Sequence, residues 1–143
     1  MQLDRTSYLE DGDMSLTEYF ENTQGLGVLS TADAEGRVNA AIYSRPHIMD
    51  DGTMAFIMPD SLTHRNLSSN PYAAYLFREN GPGYKGKRIY LTKVREETDS
   101  ELINSVRRKF YPPEVVKGGP RSLVFFAVDK VRPLIGTGES EPT

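Results

Sequence analysis

Leu26-Gly27-Val28-Leu29-Ser30-Thr31, then Asp33-Ala34-Glu35-Gly36, then Arg37-Val38-Asn39-Ala40-Ala41-Ile42-Tyr43-Ser44 is the stretch on which the fold turns. Two runs of aliphatic and β-branched residues flank a short cluster of turn formers, the pattern of an antiparallel hairpin rather than of a helix. The same alternation of strand and turn continues downstream. Met54 to Met58, Tyr72 to Phe77, Lys87 to Val94 and Ser122 to Val128 read as further strands. Asp50-Asp51-Gly52 is a turn, and the chain from Pro59 to Asn70 separates two strands. In Lys87 to Val94 the alternation puts Ile89 and Leu91 on one side and Tyr90 and Thr92 on the other. Ser122 to Val128 is apolar throughout, which predicts cover on both faces.

Helices are few. Ser15-Leu16-Thr17-Glu18 has the form of a capping box, followed by Leu16, Tyr19 and Phe20 at helical spacing and a stop near Gly25. Thr63 to Ser69 makes about two turns, with Thr63 as the expected cap and Asn70-Pro71 as the stop. Thr98-Asp99-Ser100-Glu101 is a second capping box, ahead of Leu102, Val106 and Phe110 at i+4 spacing, and Tyr111-Pro112-Pro113 ends that helix. Six strands at hairpin spacing with short helices predict a small antiparallel barrel with helices plugging its ends. The absence of alternating βαβ units argues against a doubly wound sheet.

The chain has 143 residues, room for one domain over 1–143. Seventeen lysines and arginines against 20 acids give a formal charge of -3, which argues against nucleic acid as the main partner. With no cysteine and only His47 and His64, cysteine-ligated metals and thiol redox are excluded and no metal site is expected. No apolar run is long enough to cross a bilayer, and Met1-Gln2-Leu3-Asp4-Arg5 does not begin a secretory signal. A cytoplasmic location without membrane partners is the expectation. The first dozen polar residues are expected to wrap over the body or over a partner subunit.

P-loop, GxGxxG, HExxH and GxSxG signatures are all missing. Three stretches nevertheless invite a ligand. Asn39-Ala40-Ala41-Ile42-Tyr43-Ser44 carries small side chains where a flat ligand could lie on the backbone, or where the strand packs tightly on the first helix. Ser61-Leu62-Thr63-His64-Arg65-Asn66-Leu67 gathers a hydroxyl, an imidazole and a guanidinium at a helix start, either a phosphate cradle or a capped helix with solvated charges. Asn80-Gly81-Pro82-Gly83-Tyr84-Lys85-Gly86-Lys87-Arg88 is glycine-rich and basic, either a long hairpin loop or the rim of an anion site.

Taken in order, Gly27-Val28-Leu29-Ser30-Thr31, Gly36-Arg37-Val38-Asn39-Ala40, Met54-Ala55-Phe56-Ile57-Met58, Thr63-His64-Arg65-Asn66-Leu67 and Asn70-Pro71-Tyr72-Ala73-Ala74-Tyr75-Leu76-Phe77 resemble the flavin-binding split-barrel family of pyridoxamine 5′-phosphate oxidases and small bacterial FMN-binding proteins. The resemblance runs from Leu16 to Val94. It implies a mainly β fold, a six-stranded antiparallel split β-barrel of Greek-key type with a few short helices. It also implies FMN as cofactor and a homodimer with the flavin at the subunit interface. By this resemblance Val38, Asn39, Ala40, Ala41, Ile42 and Tyr43 would meet the isoalloxazine ring, and Ile57, Met58, Thr63, His64 and Arg65 the ribityl chain and phosphate. Arg88 would supply a further polar contact, in the family often from the partner subunit.

The chain has no tryptophan and ends without the arginine- and tryptophan-containing segment of the oxidases, so oxidation of vitamin B6 phosphates is not expected. The implied activity is that of a small flavin-dependent oxidoreductase served by a small-molecule or protein electron donor. The rivals are a non-catalytic flavin carrier or electron-transfer protein, and a relative that holds a deazaflavin or haem. No residue pair demands the role of catalytic acid or base, so the catalytic residues stay unassigned.

Overall fold

The computed structural model describes residues 15–98, 100–110 and 121–136. Along the chain these form α1 (Leu16–Asn22), β1 (Gly25–Ala32), β2 (Val38–Ile42), β3 (His47–Ile48), β4 (Met54–Pro59), α2 (Leu62–Ser69), β5 (Tyr72–Glu79), β6 (Gly86–Glu97), α3 (Ser100–Phe110) and β7 (Arg121–Pro133). The expected six strands are present and a seventh joins them. That addition, β3, is a two-residue strand that pairs His47 with Ala55 and Ile48 with Met54.

All pairings are antiparallel, in the order β2-β1-β5-β6-β7-β4-β3. The two edge strands are neighbours in sequence, since β2 ends at Ile42 and β3 begins at His47. Five residue steps reach at most ~18 Å, whereas a flat seven-stranded sheet would hold its edges ~29 Å apart. The sheet must therefore curl until its edges face each other. No ladder joins β2 to β3, so the barrel is split along that seam.

Local chemistry explains the elements. Ser15 Oγ accepts from the Glu18 amide at 3.1 Å and Glu18 Oε1 accepts from the Ser15 amide at 3.3 Å, the reciprocal capping box that starts α1. Asp33 Oδ1 accepts from the amides of Glu35 and Arg37, both at 2.9 Å, and Gly36 takes φ 87°, which closes the β1–β2 hairpin. The α2 cap differs from expectation. Ser61, not Thr63, accepts from the amide of His64, and Thr63 is drawn into the protein at 2% exposure. In α3 the buried residues are Ile103 and Val106, and Leu102 packs only partly. The Thr98–Glu101 capping box, the Phe110 side chain, the first dozen residues and the proline–glycine stretch 111–120 lie outside the described residues or side chains.

Leu29, Met54, Phe56, Met58, Tyr75, Phe77, Ile89, Leu91, Val124 and Phe126 fill the barrel, with Tyr19 and Phe20 of α1 and Leu67 of α2 joining them. β7 is buried on both faces, as its composition predicts. Val124 and Phe126 point into the barrel, and Leu123 and Phe125 join Ala55 beneath Ile103 and Val106 of α3.

At Gly27 the Tyr75 side chain leaves no room for a Cβ. A Cβ there would lie 1.9 Å from the Tyr75 hydroxyl, which donates to the carbonyls of Tyr43 and Ser44 at 3.1 Å each. Gly27→Ala is expected to cost about 1–3 kcal/mol through overpacking, read as a lower urea midpoint at unchanged slope.

Candidate functional site

At the close of β4 the chain leaves the sheet at Pro59 and turns through Asp60 to Ser61, the cap of α2. Pro59 pairs with Arg121, the first residue of β7, so the ladder itself sets an arginine beside the start of α2. Helix α2 is fixed from below. Asn66 Nδ2 donates to Thr31 Oγ1 of β1 at 3.1 Å with both residues buried, and Leu67 enters the core.

Tyr43 approaches the same point from the seam. Its ring stands edge-on to Phe56, with centroids 5.8 Å apart. Burial raises the Tyr43 phenol above its usual value, while the side chains of Ser61 and Thr63 and the charge of Arg121 act in the opposite direction. Asn39 Nδ2 of β2 donates to Thr63 Oγ1 at 3.2 Å. Three hydroxyls, an amide and a guanidinium therefore converge on the N-terminal turn of α2, where unpaired backbone amides and the helix dipole already favour an anion. Arg121 Nε is buried and has no hydrogen-bond partner among the described residues. A buried donor left unpaired is costly, and a ligand acceptor removes that cost.

A second network flanks this cradle. His64 Nε2 lies 2.8 Å from Glu96 Oε2, and Lys93 Nζ donates to Glu96 Oε1 at 2.9 Å, with Lys93 and Glu96 both on β6. Partial burial would by itself raise the Glu96 carboxyl, but hydrogen bonds from Lys93, His64 and Ser122 outweigh it and hold the group down at about 2. A carboxyl depressed in the folded state contributes stability above its unfolded value, near 4.5, and loses it as pH falls towards 2. Glu96→Gln is therefore expected to flatten the acid limb of a stability-versus-pH curve between those values, measured by urea unfolding at each pH.

The residues expected at a flavin site divide into several groups. Asn39, Tyr43 and Thr63 come together, and the His64 ring turns to Glu96 in the network beside them. Val38, Ala40 and Ile42 point away from the barrel, with Val38 82% and Ile42 70% exposed, and Ala41 is half-buried between them. The Met58 side chain is wholly in the core, so only its backbone could meet a ligand, and Ile57 packs on the α3 cluster. Arg65 lies at the rim, exposed, with Nη1 3.6 Å from Asp60.

Arg88 lies elsewhere within the chain. Its guanidinium donates to the carbonyls of Pro133 and Gly136, in a row with Leu76 and Arg132. The glycine-rich stretch before it is a hairpin end. Arg78 donates to Gly83 O at 2.7 and 3.1 Å and to Gly81 O at 3.3 Å, and lies over the Tyr84 ring at 5.4 Å. Sequence reasoning missed Arg121, Glu96 and Lys93, and gave the cap to Thr63 in a stretch that Ser61 opens. The signal for Arg121 was a cation opening a wholly apolar strand directly after Gly118-Gly119-Pro120.

Among the described residues no helix is long and apolar enough to cross a membrane. No family model and no curated protein matches the chain. Solved structures do. An FMN-binding protein from Syntrophomonas wolfei superposes with TM-score 0.67 at 21% identity, covering 92% of this chain and 94% of that one. HupZ of Group A Streptococcus gives TM-score 0.67 at 18% identity over 88% of this chain and 96% of its own. HutZ, the heme storage protein of Vibrio cholerae, gives 0.62 at 16% identity over 81% and 89%. The curled antiparallel sheet, the seam between β2 and β3 and the cradle at α2 are thus set in the split-barrel fold that these proteins share with this chain.

Proposed function

We propose that the chain binds flavin mononucleotide, with the phosphate in the cradle formed by Ser61, Thr63 and Arg121 and the ring along β2, and that it works as a small cytoplasmic flavin-dependent oxidoreductase. The observation that carries this reading is the buried, unpaired Arg121 Nε at a helix N-terminus among hydroxyls. An FMN-binding protein of the same fold supports it. When bound, the flavin supplies hydride and electron transfer, and the chain's residues bind, orient and shield it.

The proposal includes a second copy of the chain. Ile42 pairs with Val28 and Val28 with Leu76, so Ile42, Leu76, Val38 and Tyr72 share the outer face of three adjacent strands. They are 70%, 42%, 82% and 65% exposed, an apolar sheet face of the kind that isologous pairing covers. Tyr75 and Phe77, at the alternate positions of β5, face inward and are fully buried. The ring of a flavin on β2 would lie at this face, and Arg88 would reach it only from the partner.

The visible spectrum of the purified protein separates flavin from deazaflavin and from a heme Soret band. Calorimetric titration with FMN and riboflavin, alongside the mass in solution, then tests cradle and dimer. Turnover with reduced nicotinamides and a small acceptor separates an oxidoreductase from a carrier. Equal affinity for FMN and riboflavin would overturn the phosphate assignment.

A further inference from the structure

Helix α2 and the β1–β2 hairpin hold each other through two asparagine–threonine pairs of opposite sense. Thr63 and Asn66 lie about one turn apart on α2, and Thr31 and Asn39 are direct partners in the β1–β2 ladder. Asn66 Nδ2 donates to Thr31 Oγ1 at 3.1 Å, and Asn39 Nδ2 donates to Thr63 Oγ1 at 3.2 Å. Both threonines are buried, so water does not compete for either hydroxyl.

A hydroxyl that accepts from an amide still has one proton to give. Thr63 gives its proton to Tyr43. Burial raises the Tyr43 phenol, and hydrogen bonds from the Ser61 and Thr63 side chains pull it back, which is the sign of donors to the phenol oxygen. Ser61 is arranged alike, since its Oγ accepts from the His64 amide at 3.4 Å and its own proton is left for the same phenol. With two hydroxyls donating to Tyr43 Oη, the phenol's own proton must go to an acceptor other than these two. Arg121 Nε is the donor beside it, buried and without a hydrogen-bond partner among the described residues.

We propose that Asn39, Thr63 and Tyr43 form a one-way hydrogen-bond relay across the seam, with Asn39 as the positioning residue and the Tyr43 O–H as the terminal donor to the ligand's phosphate. This inference rests on the reading of the α2 cradle as the phosphate site, and it gives Tyr43 to the phosphate rather than to the flavin ring. An amide nitrogen is suited to start such a relay because it only donates. Each link polarises the next, so the last O–H is a stronger donor than an isolated phenol. A phosphate has acceptor sites for both the Tyr43 proton and Arg121 Nε, and its charge strengthens each bond. Riboflavin ends in a neutral hydroxyl and gains little from either.

The experiment is calorimetric titration of FMN and riboflavin into the intact protein and its variants, with urea midpoints measured alongside to confirm that each is folded. Tyr43→Phe keeps the ring against Phe56 and removes only the O–H. It is expected to weaken FMN binding about ten- to hundredfold and to leave riboflavin binding nearly unchanged. A phenol that met the flavin ring would change both ligands alike. Thr63→Val and Asn39→Leu each cut the relay upstream and should lower FMN affinity roughly three- to tenfold, again sparing riboflavin. Thr63→Ser keeps the hydroxyl and should keep the preference for FMN. Combined, Thr63→Val and Asn39→Leu should cost no more than Thr63→Val alone, because Asn39 acts through that hydroxyl. Equal losses for both ligands in Tyr43→Phe, no loss in either, or additive losses in the double variant overturn the inference, while FMN preference in the wild type leaves the cradle standing. A wild type that binds both ligands equally overturns the cradle reading, and the relay falls with it.

Discussion

Arg121→Ala is expected to weaken FMN binding ten- to hundredfold and to leave riboflavin binding nearly unchanged. The guanidinium enters the cradle from the first residue of β7, opposite Pro59, with Nε buried and unpaired among the described residues. A hydrogen bond between a charged donor and a phosphate oxygen contributes about 1.5–3 kcal/mol, which is the stated range in binding constant. Riboflavin lacks the phosphate and so makes no use of that donor. Arg65→Ala provides the contrast. Its side chain is 63% exposed and shared with Asp60 at 3.6 Å, a surface pairing worth about 0–1 kcal/mol, so the loss should be severalfold at most. Added salt should act in the same order, because screening falls on the phosphate contact and not on the ring. Calorimetry on the two variants with both ligands checks all three statements; an equal loss for FMN and riboflavin in Arg121→Ala would show that the arginine serves the fold instead.

The other large effect belongs to the core. Phe56 stands between the barrel and the cradle, 2% exposed, with ring centroids 5.0 Å from Tyr75, 5.8 Å from Tyr43 and 5.9 Å from Phe126. Phe56→Ala is expected to cost about 3–5 kcal/mol, the transfer of the ring plus the cavity left among neighbours that are themselves fixed. Tyr43 loses the ring against which it is set, so ligand affinity should fall as well even though Phe56 touches no ligand. Urea unfolding gives the first quantity and FMN titration well below the unfolding midpoint gives the second. Phe56→Leu retains most of the volume and should recover most of both.

Much of this was written locally. The Ser15–Glu18 capping box, the Asp33–Gly36 turn and the two-sided burial of β7 each follow from a handful of neighbouring residues, and the structure has all three. What failed to show depends on parity or on distance. In Tyr72 to Phe77 large apolar side chains occur at both alternating positions, so sequence alone could not say that Tyr75 and Phe77 turn inward while Tyr72 and Leu76 turn outward. Ser61 and Thr63 are both competent caps two residues apart, and the choice fell to Ser61 because Thr63 is held inside by Asn39 and the barrel wall. The strand β3 has two residues and no periodicity to detect. Arg121 is 58 positions from Thr63, and only the β4–β7 register brings them together.

The seam between β2 and β3 has a consequence for the life of the protein in the cell. No backbone ladder crosses it, and the groups that meet over it, Asn39 and Tyr43 from one side and Ser61, Thr63 and Arg121 from the other, are those of the cradle. A ligand seated there acts as a clasp on the weakest line of the barrel. Occupancy and integrity then form a single equilibrium, in which ligand at a hundred times its dissociation constant protects the fold by about 2.7 kcal/mol. On the proposed flavin reading, chains that lack the ligand would open more often along this line and meet proteases sooner, so the supply of cofactor would set how much of the protein survives.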